Sequence, residues 1–208
     1  MVVAASNSMT KTLDAARNLL AASTTFQTWV DAAANWEITD AFDGHDGVTL
    51  DGTELDTGDV SWDVVAGDWK GTADGYAAPQ IDDDSDLMLV PCGENPGPQA
   101  DCYAQSAAYV LTTSNEMGVV IAADSTNYYW LTLRGKDLVL SALVAGSPTE
   151  LDSLTDAVAA VATRYTLKLT YSISGTTVTL KGYIGGVEKV SWIGAASIGD
   201  VIKVGLRR

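Results

Sequence analysis

Between residues 117 and 192 the chain repeats one unit: eight to ten residues rich in Val, Ile, Thr, Leu and Tyr, bounded by a two- or three-residue turn signal. The runs are Met-Gly-Val-Val-Ile-Ala-Ala-Asp (117–124), Thr-Asn-Tyr-Tyr-Trp-Leu-Thr-Leu-Arg-Gly (126–135), Asp-Leu-Val-Leu-Ser-Ala-Leu-Val (137–144), Tyr-Thr-Leu-Lys-Leu-Thr-Tyr-Ser-Ile (165–173) and Thr-Thr-Val-Thr-Leu-Lys-Gly-Tyr-Ile (176–184). The separators are Asp124-Ser125, Gly135-Lys136, Gly146-Ser147-Pro148, Ser174-Gly175 and Gly185-Gly186. β-branched and aromatic residues suit strands, and Gly, Asp or Ser at a two-residue loop suits a tight hairpin. Short strands at this spacing predict an all-β, antiparallel sandwich. With 208 residues the chain can bury a sizeable core.

The charge is concentrated. Between Asp40 and Asp101 lie fourteen Asp and two Glu against one base, Lys70, which equals the whole formal charge of −15. An acidic surface repels phosphate backbones, so no nucleic-acid partner is expected; it suits cations or a solvated, non-sticky face. No apolar run reaches the length of a membrane span. The opening residues lack the basic and apolar regions of a signal peptide. A protein made in the cytoplasm without a leader, yet built like an extracellular domain, is expected to leave with a virus particle on lysis.

Before the strands, Leu13, Ala16, Leu19 and Leu20 fall at helical spacing, and Phe26, Trp29, Val30 and Ala33 make a second stripe after the break at Ser23-Thr24-Thr25. This predicts a helical hairpin over about 11–34, in an anchor segment 1–36, with the sandwich over 37–208. Two short helices cannot bury Phe26 and Trp29 alone, so Leu13, Leu20, Phe26 and Trp29 are expected either to pack on the chain's own domain or to dock a partner. The run Ala-Arg-Asn-Leu-Leu-Ala-Ala-Ser-Thr-Thr-Phe-Gln-Thr-Trp-Val loosely resembles the opening of small phage head or tail proteins.

Several motifs after Thr39 carry a wider resemblance: Phe-Asp at 42–43 with a Leu-Asp-Gly loop, Trp-Asp-Val-Val-Ala-Gly-Asp-Trp at 62–69, Asn-Tyr-Tyr-Trp-Leu-Thr-Leu-Arg-Gly at 127–135, and the closing Lys-Val-Gly-Leu-Arg. Together they resemble the concanavalin-A-like lectin/glucanase superfamily in its laminin-G-like branch. The resemblance implies a jelly-roll sandwich of two antiparallel sheets, one concave, with calcium often held at loop edges. Its motifs are structural, so they speak for fold before activity.

Hydrolases of that superfamily place paired acids on one strand, commonly Glu-x-Asp-x-Glu, so that both carboxylates share a face. Here the strand-like acids Glu116, Asp124, Asp137 and Glu188 stand singly. His45, the one histidine, sits in Asp-Gly-His-Asp-Gly with no Gly-x-Ser-x-Gly elbow in the chain, which argues against a serine triad. The chain therefore reads as no enzyme.

Three sites remain. Tyr128, Trp130, Thr132 and Arg134 alternate with the core positions Tyr129, Leu131 and Leu133; if their face lines the concave sheet, Tyr128 and Trp130 stack on a sugar ring and Arg134 bonds its hydroxyls. The alternative is that this face is covered or forms a subunit contact. Asp82, Asp84 and Asp86 mimic the first, third and fifth positions of a calcium loop, but Leu87 stands where that loop needs Gly and Gly93 where it needs Glu. A looser Ca2+ site is the expectation there, against a merely solvated acidic loop. Cys92 and Cys102 flank a turn-rich loop that suits a local disulfide in an oxidising medium, against two reduced thiols.

The functional expectation is a non-enzymatic phage virion component, a capsid decoration or tail-attached module. Its partners would be capsid or tail proteins of the same particle, other copies of itself and, on the open face, a cell-surface glycan. The rivals are a free carbohydrate-binding lectin-like protein and a glycoside hydrolase.

Overall fold

The computed structural model describes residues 26–30, 36–40, 47–54, 60–71, 77–79, 86–92, 101–109, 116–195 and 197–208. Every ladder among them is antiparallel. No helix among them is long and apolar enough to cross a membrane.

The repeat unit of the sequence becomes two meanders. In the first, β8 (Glu116–Asp124), β9 (Asn127–Arg134), β10 (Asp137–Val144) and β11 (Ser147–Leu154) follow one another. In the second, β12 (Arg164–Ser174), β13 (Thr177–Ile184) and β14 (Val187–Ala195) do the same. All five turn signals of the sequence fall at hairpin loops. Ala145-Gly146 and Gly185-Gly186 both carry positive φ at the two central positions, the geometry that matches the right-handed twist of the flanking strands. In the first hairpin Asp124 Oδ1 accepts from Thr126 N (2.7 Å) and Thr126 Oγ1 (2.8 Å), so the side chain itself closes the loop. The segment 155–163 is an irregular crossover tied down by Asp156 N to Asp137 Oδ1 (2.9 Å).

Five earlier strands and one final strand complete the two layers. β7 (Asp101–Tyr109) joins β12, giving a six-stranded sheet of order β14-β13-β12-β7-β1-β2, where β1 is Phe26–Val30 and β2 is Trp36–Asp40. The C-terminal β15 (Lys203–Arg207) inserts between β8 and β6 (Leu87–Pro91), and β3 (Asp63–Ala66) closes a seven-stranded sheet of order β11-β10-β9-β8-β15-β6-β3. A small pair, β4 (Trp69–Gly71) and β5 (Ala77–Pro79), stands beside them. The chain crosses between the two sheets after β2, β6, β7, β11 and β14, which gives the jelly-roll sandwich the sequence predicts.

The helical reading is corrected for Phe26–Val30; Ala33 lies outside the described residues. Phe26–Val30 is a strand, paired with β7 and β2, with Trp29 opposite Tyr103 and Phe26 opposite Asp40. Five residues carry too little periodicity to separate helix from strand. Phe26, Thr28, Trp29 and Val30 have strand propensity, and the free edge of β7 supplies the ladder. Leu13 and Leu20, with the first half of the expected hairpin, lie outside the described residues.

The core lies between the sheets. Val119, Ile121, Tyr129, Leu131 and Leu133 from one meet Ala104, Leu167, Leu169, Tyr171 and Leu180 from the other. Each such aliphatic side chain contributes about 1.5–3 kcal/mol on burial. Tyr129, fully buried, pairs its hydroxyl with Ser197 Oγ at 3.1 Å and packs near the rings of Tyr171 and Trp192. At one edge Ser191 N donates to Asp152 Oδ2 (2.8 Å), stitching β14 to β11 across the layers.

The two sheets differ in a way that decides where a ligand can bind. β12 and β13 alternate buried and partly exposed residues, as expected for a sheet with one wet face. In contrast, β6, β9 and β10 are buried at nearly every position. The inner strands of the seven-stranded sheet are therefore buried on both faces, while its edge strand β11 is largely exposed. On the sheet's second face Leu87, Leu89, Val120, Ala122, Tyr128 and Trp130 form a separate apolar cluster, with Ala66 and Leu143 packed against it.

Candidate functional site

The Tyr128/Trp130 face is closed. Both residues keep only 5 % of their surface, and Thr132 beside them keeps none. Their ring centroids are 5.3 Å apart, and the Arg207 guanidinium lies over them, 4.6 Å from the Trp130 centroid and 5.8 Å from that of Tyr128. Arg207 Nη1 donates to Tyr128 Oη at 2.7 Å. Burial raises the pKa of the Tyr128 phenol, partly offset by the Arg207 charge. The cation occupies the side of the rings that a sugar would need. Arg134, at the far end of β9, is paired with Glu116 on β8. The stacking platform expected of Tyr128, Trp130 and Arg134 is thus an internal packing unit with an exposed ion pair six and four residues away along the strand.

Of the calcium candidates, Asp82 and Asp84 lie outside the described residues. Asp86 is fully buried, and its main-chain carbonyl accepts from Arg208 N at 2.9 Å. Its carboxylate fills the space that Gly67 leaves: a Cβ there would sit 2.1 Å from Oδ1. No group of three acidic, His or Cys side chains suited to a metal occurs among the described residues. The described part of the loop does not furnish a calcium site.

Cys92 and Cys102 are free, buried thiols in this structure instead of the expected disulfide. Cys92 follows β6 in one sheet and Cys102 lies in β7 of the other, so both point into the shared core. Burial pushes the Cys92 thiol up to about 12 and also raises Cys102 well above its ordinary range. A neutral, buried thiol is a poor nucleophile. Ellman's reagent at mildly alkaline pH is expected to leave both untouched in the native protein and to titrate both in concentrated guanidinium. Absence of any reactive thiol in denaturant would show a bonded pair.

The open face is the outer surface of the six-stranded sheet. Residues directly opposite in an antiparallel ladder point to the same side. One row runs Gln105, Lys168, Tyr183, Glu188 across β7, β12, β13 and β14; the next runs Tyr103, Thr170, Lys181, Ser191. All are partly or fully exposed. The Lys168 ammonium sits 3.8 Å from the centroid of the Tyr103 ring. Partial burial lowers its pKa from the ordinary lysine value. Lys181 Nζ donates to Glu188 Oε2 at 3.0 Å, and that bond raises the Lys181 pKa. Tyr103 and Tyr183 stand about 10 Å apart across the sheet and about 7 Å along it. An oligosaccharide, more readily than one sugar ring, spans both.

Sequence reasoning missed this surface. The signal was present in Arg164, Thr166, Lys168, Thr170 and Ser172, which alternate with Leu167, Leu169 and Tyr171. That clean polar alternation marks a wet face, whereas Tyr-Tyr-Trp-Leu-Thr-Leu does not.

Neither a protein-family model nor a curated protein sequence matches the chain. Among solved structures it is similar to the carbohydrate-binding module CBM66 from Bacillus subtilis, with a TM-score of 0.52 and 14 % identity over 70 % of this chain and 90 % of that one. Weaker likenesses include the Bacillus licheniformis β-glucanase (TM-score 0.47, 11 % identity, 76 % and 82 % covered) and sheep galectin-11 (TM-score 0.39, 15 % identity, 54 % and 90 % covered). The first of these likenesses shows a shared β-sandwich fold.

Proposed function

We propose that this protein is a non-catalytic carbohydrate-binding module that engages an oligosaccharide on the outer face of its six-stranded sheet. The observation that carries the reading is the contrast between the sheets: the open face of the six-stranded sheet presents two tyrosine rings among amide, hydroxyl and ammonium groups. Apolar ring faces beside hydrogen-bonding groups match the alternating CH and OH surfaces of a sugar. The neighbour CBM66 is by name a carbohydrate-binding module, which agrees with this reading. Glu188, the acid opposite Tyr183, is held by Lys181, an arrangement that suits binding better than acid–base chemistry. Carriage on a phage particle was expected from the run at 16–30, the lack of a signal peptide and the absence of paired acids, and the described sandwich adds nothing to that expectation.

The test is an oligosaccharide array followed by calorimetry. Tyr183→Ala is expected to weaken the best hit about tenfold or more, as loss of a stacking ring should, while the thermal melt stays near wild type. A hit that survives both Tyr103→Ala and Tyr183→Ala unchanged would move the site elsewhere. Turnover of any array member would overturn the non-catalytic part.

A further inference from the structure

We propose that the saccharide bound on this face is anionic, with a carboxylate or sulfate group received by Lys168. The inference rests on the glycan-binding reading above and adds the ligand's charge to it.

The first observation is the position of Lys168. It lies in the middle of the face, on β12, with Gln105 on one side and Tyr183 on the other. Its ammonium is oriented by the Tyr103 ring beneath it. The second is its lack of a carboxylate partner among the described residues, although the chain carries 27 acids against 12 bases. Lys70, Arg134, Lys181 and Lys203 are each ion-paired, to Asp68, Glu116, Glu188 and Asp63. The third is local charge. Residues 164–195, which form three of the sheet's six strands, hold four bases (Arg164, Lys168, Lys181, Lys189) and one acid, Glu188. This reverses the balance of the whole molecule.

A half-buried ammonium has given up part of its hydration, and its lowered pKa records that. A ring face returns only part of the lost solvation. An anionic oxygen returns more, through a short charge-assisted hydrogen bond. Tyr183 and Gln105, in the same row, are placed to hold the sugar ring and its hydroxyls while Lys168 reads the acid group. A neutral sugar would displace water from Lys168 and offer only hydroxyls in exchange. The strongly acidic remainder of the chain repels polyanions in general, so affinity for an acidic sugar has to come from this face and not from overall charge.

The experiment is an array of matched oligosaccharides, each backbone presented in neutral, uronate and sulfated form, with affinities of the hits measured at constant ionic strength. The expected hits are anionic, binding at least about tenfold more tightly than their neutral counterparts, in line with one hydrogen bond to a charged group. Uronate and sulfate arms identify which acid group is read. Lys168→Met should bring the anionic hit down to the neutral level, Lys168→Arg should retain most of it, and Lys189→Met, at the exposed bulge of β14, should change nothing. Circular dichroism of each variant guards against misfolding. Equal binding of neutral and anionic members, with Lys168→Met silent, overturns this inference and leaves glycan binding standing. Failure of every backbone to bind overturns both.

Discussion

Gly205→Ala is expected to lose about 3 kcal/mol of stability, the upper end of the range for overpacking, and to do so by prising apart the seven-stranded sheet. Gly205 lies in β15, the final strand, between Leu89 of β6 and Val120 of β8. A Cβ there would fall 2.0 Å from the carbonyl oxygen of Met88 and 2.9 Å from Leu89 Cδ2. The first of these is backbone of the neighbouring strand, which cannot swing aside as a side chain can. Relief requires β15 to move off β6, and β15 is the bridge that joins β6 and β3 to the meander β8–β11. Urea unfolding of Gly205→Ala beside Gly175→Ala checks this. Gly175 sits in an open turn at φ +60 with nothing near a Cβ, so alanine there costs only the left-handed backbone, about 1–2 kcal/mol. A Gly205→Ala midpoint no lower than that of Gly175→Ala would mean that the strands are not so closely apposed.

The second large effect concerns Trp130. Trp130→Ala is expected to cost about 3–5 kcal/mol, as for other buried indole truncations, and to leave saccharide affinity of the folded protein unchanged. The ring keeps 5 % of its surface and lies among Val120, Leu89 and Tyr128 under the Arg207 guanidinium. Its removal leaves a cavity and takes away the surface on which a partly buried cation rests. Denaturant unfolding paired with calorimetry separates the roles: Trp130→Ala should move the first and spare the second, and Tyr183→Ala the reverse. Wild-type stability in Trp130→Ala, with a loss of sugar binding, would restore Trp130 to the binding surface and displace the six-stranded sheet from that role.

Turn chemistry and strand composition between 117 and 192 were enough to predict five of the seven strands there, the turns beside them and the inward set Tyr129, Leu131 and Leu133; β11 and β14 were not among the five. These depend on nearest neighbours along the chain: a turn needs its own two residues, and a pleat alternates regardless of what lies across it. The strand at Phe26–Val30 was misread because a five-residue run is decided by the partner it finds, here β7. That Cys92 and Cys102 enter one core from opposite sheets was not legible for a related reason, since spacing along a loop does not reveal where its two ends lie.

The site follows the same division. That Tyr128 and Trp130 share a face was legible from alternation alone. Whether that face meets water was not, because burial is a property of the assembled layers. Two strands with the same pleat differ in what lies above them. One clue was available in the chain itself: a strand wet on one side has polar residues at every second position, as β12 does, and a strand dry on both sides has few, as in β9. Amino-acid order thus settled which side chains stand together on each strand. Only the closing of the sheets settled which of those sets was left open to a ligand, because exposure is fixed by distant parts of the chain arriving at the same place.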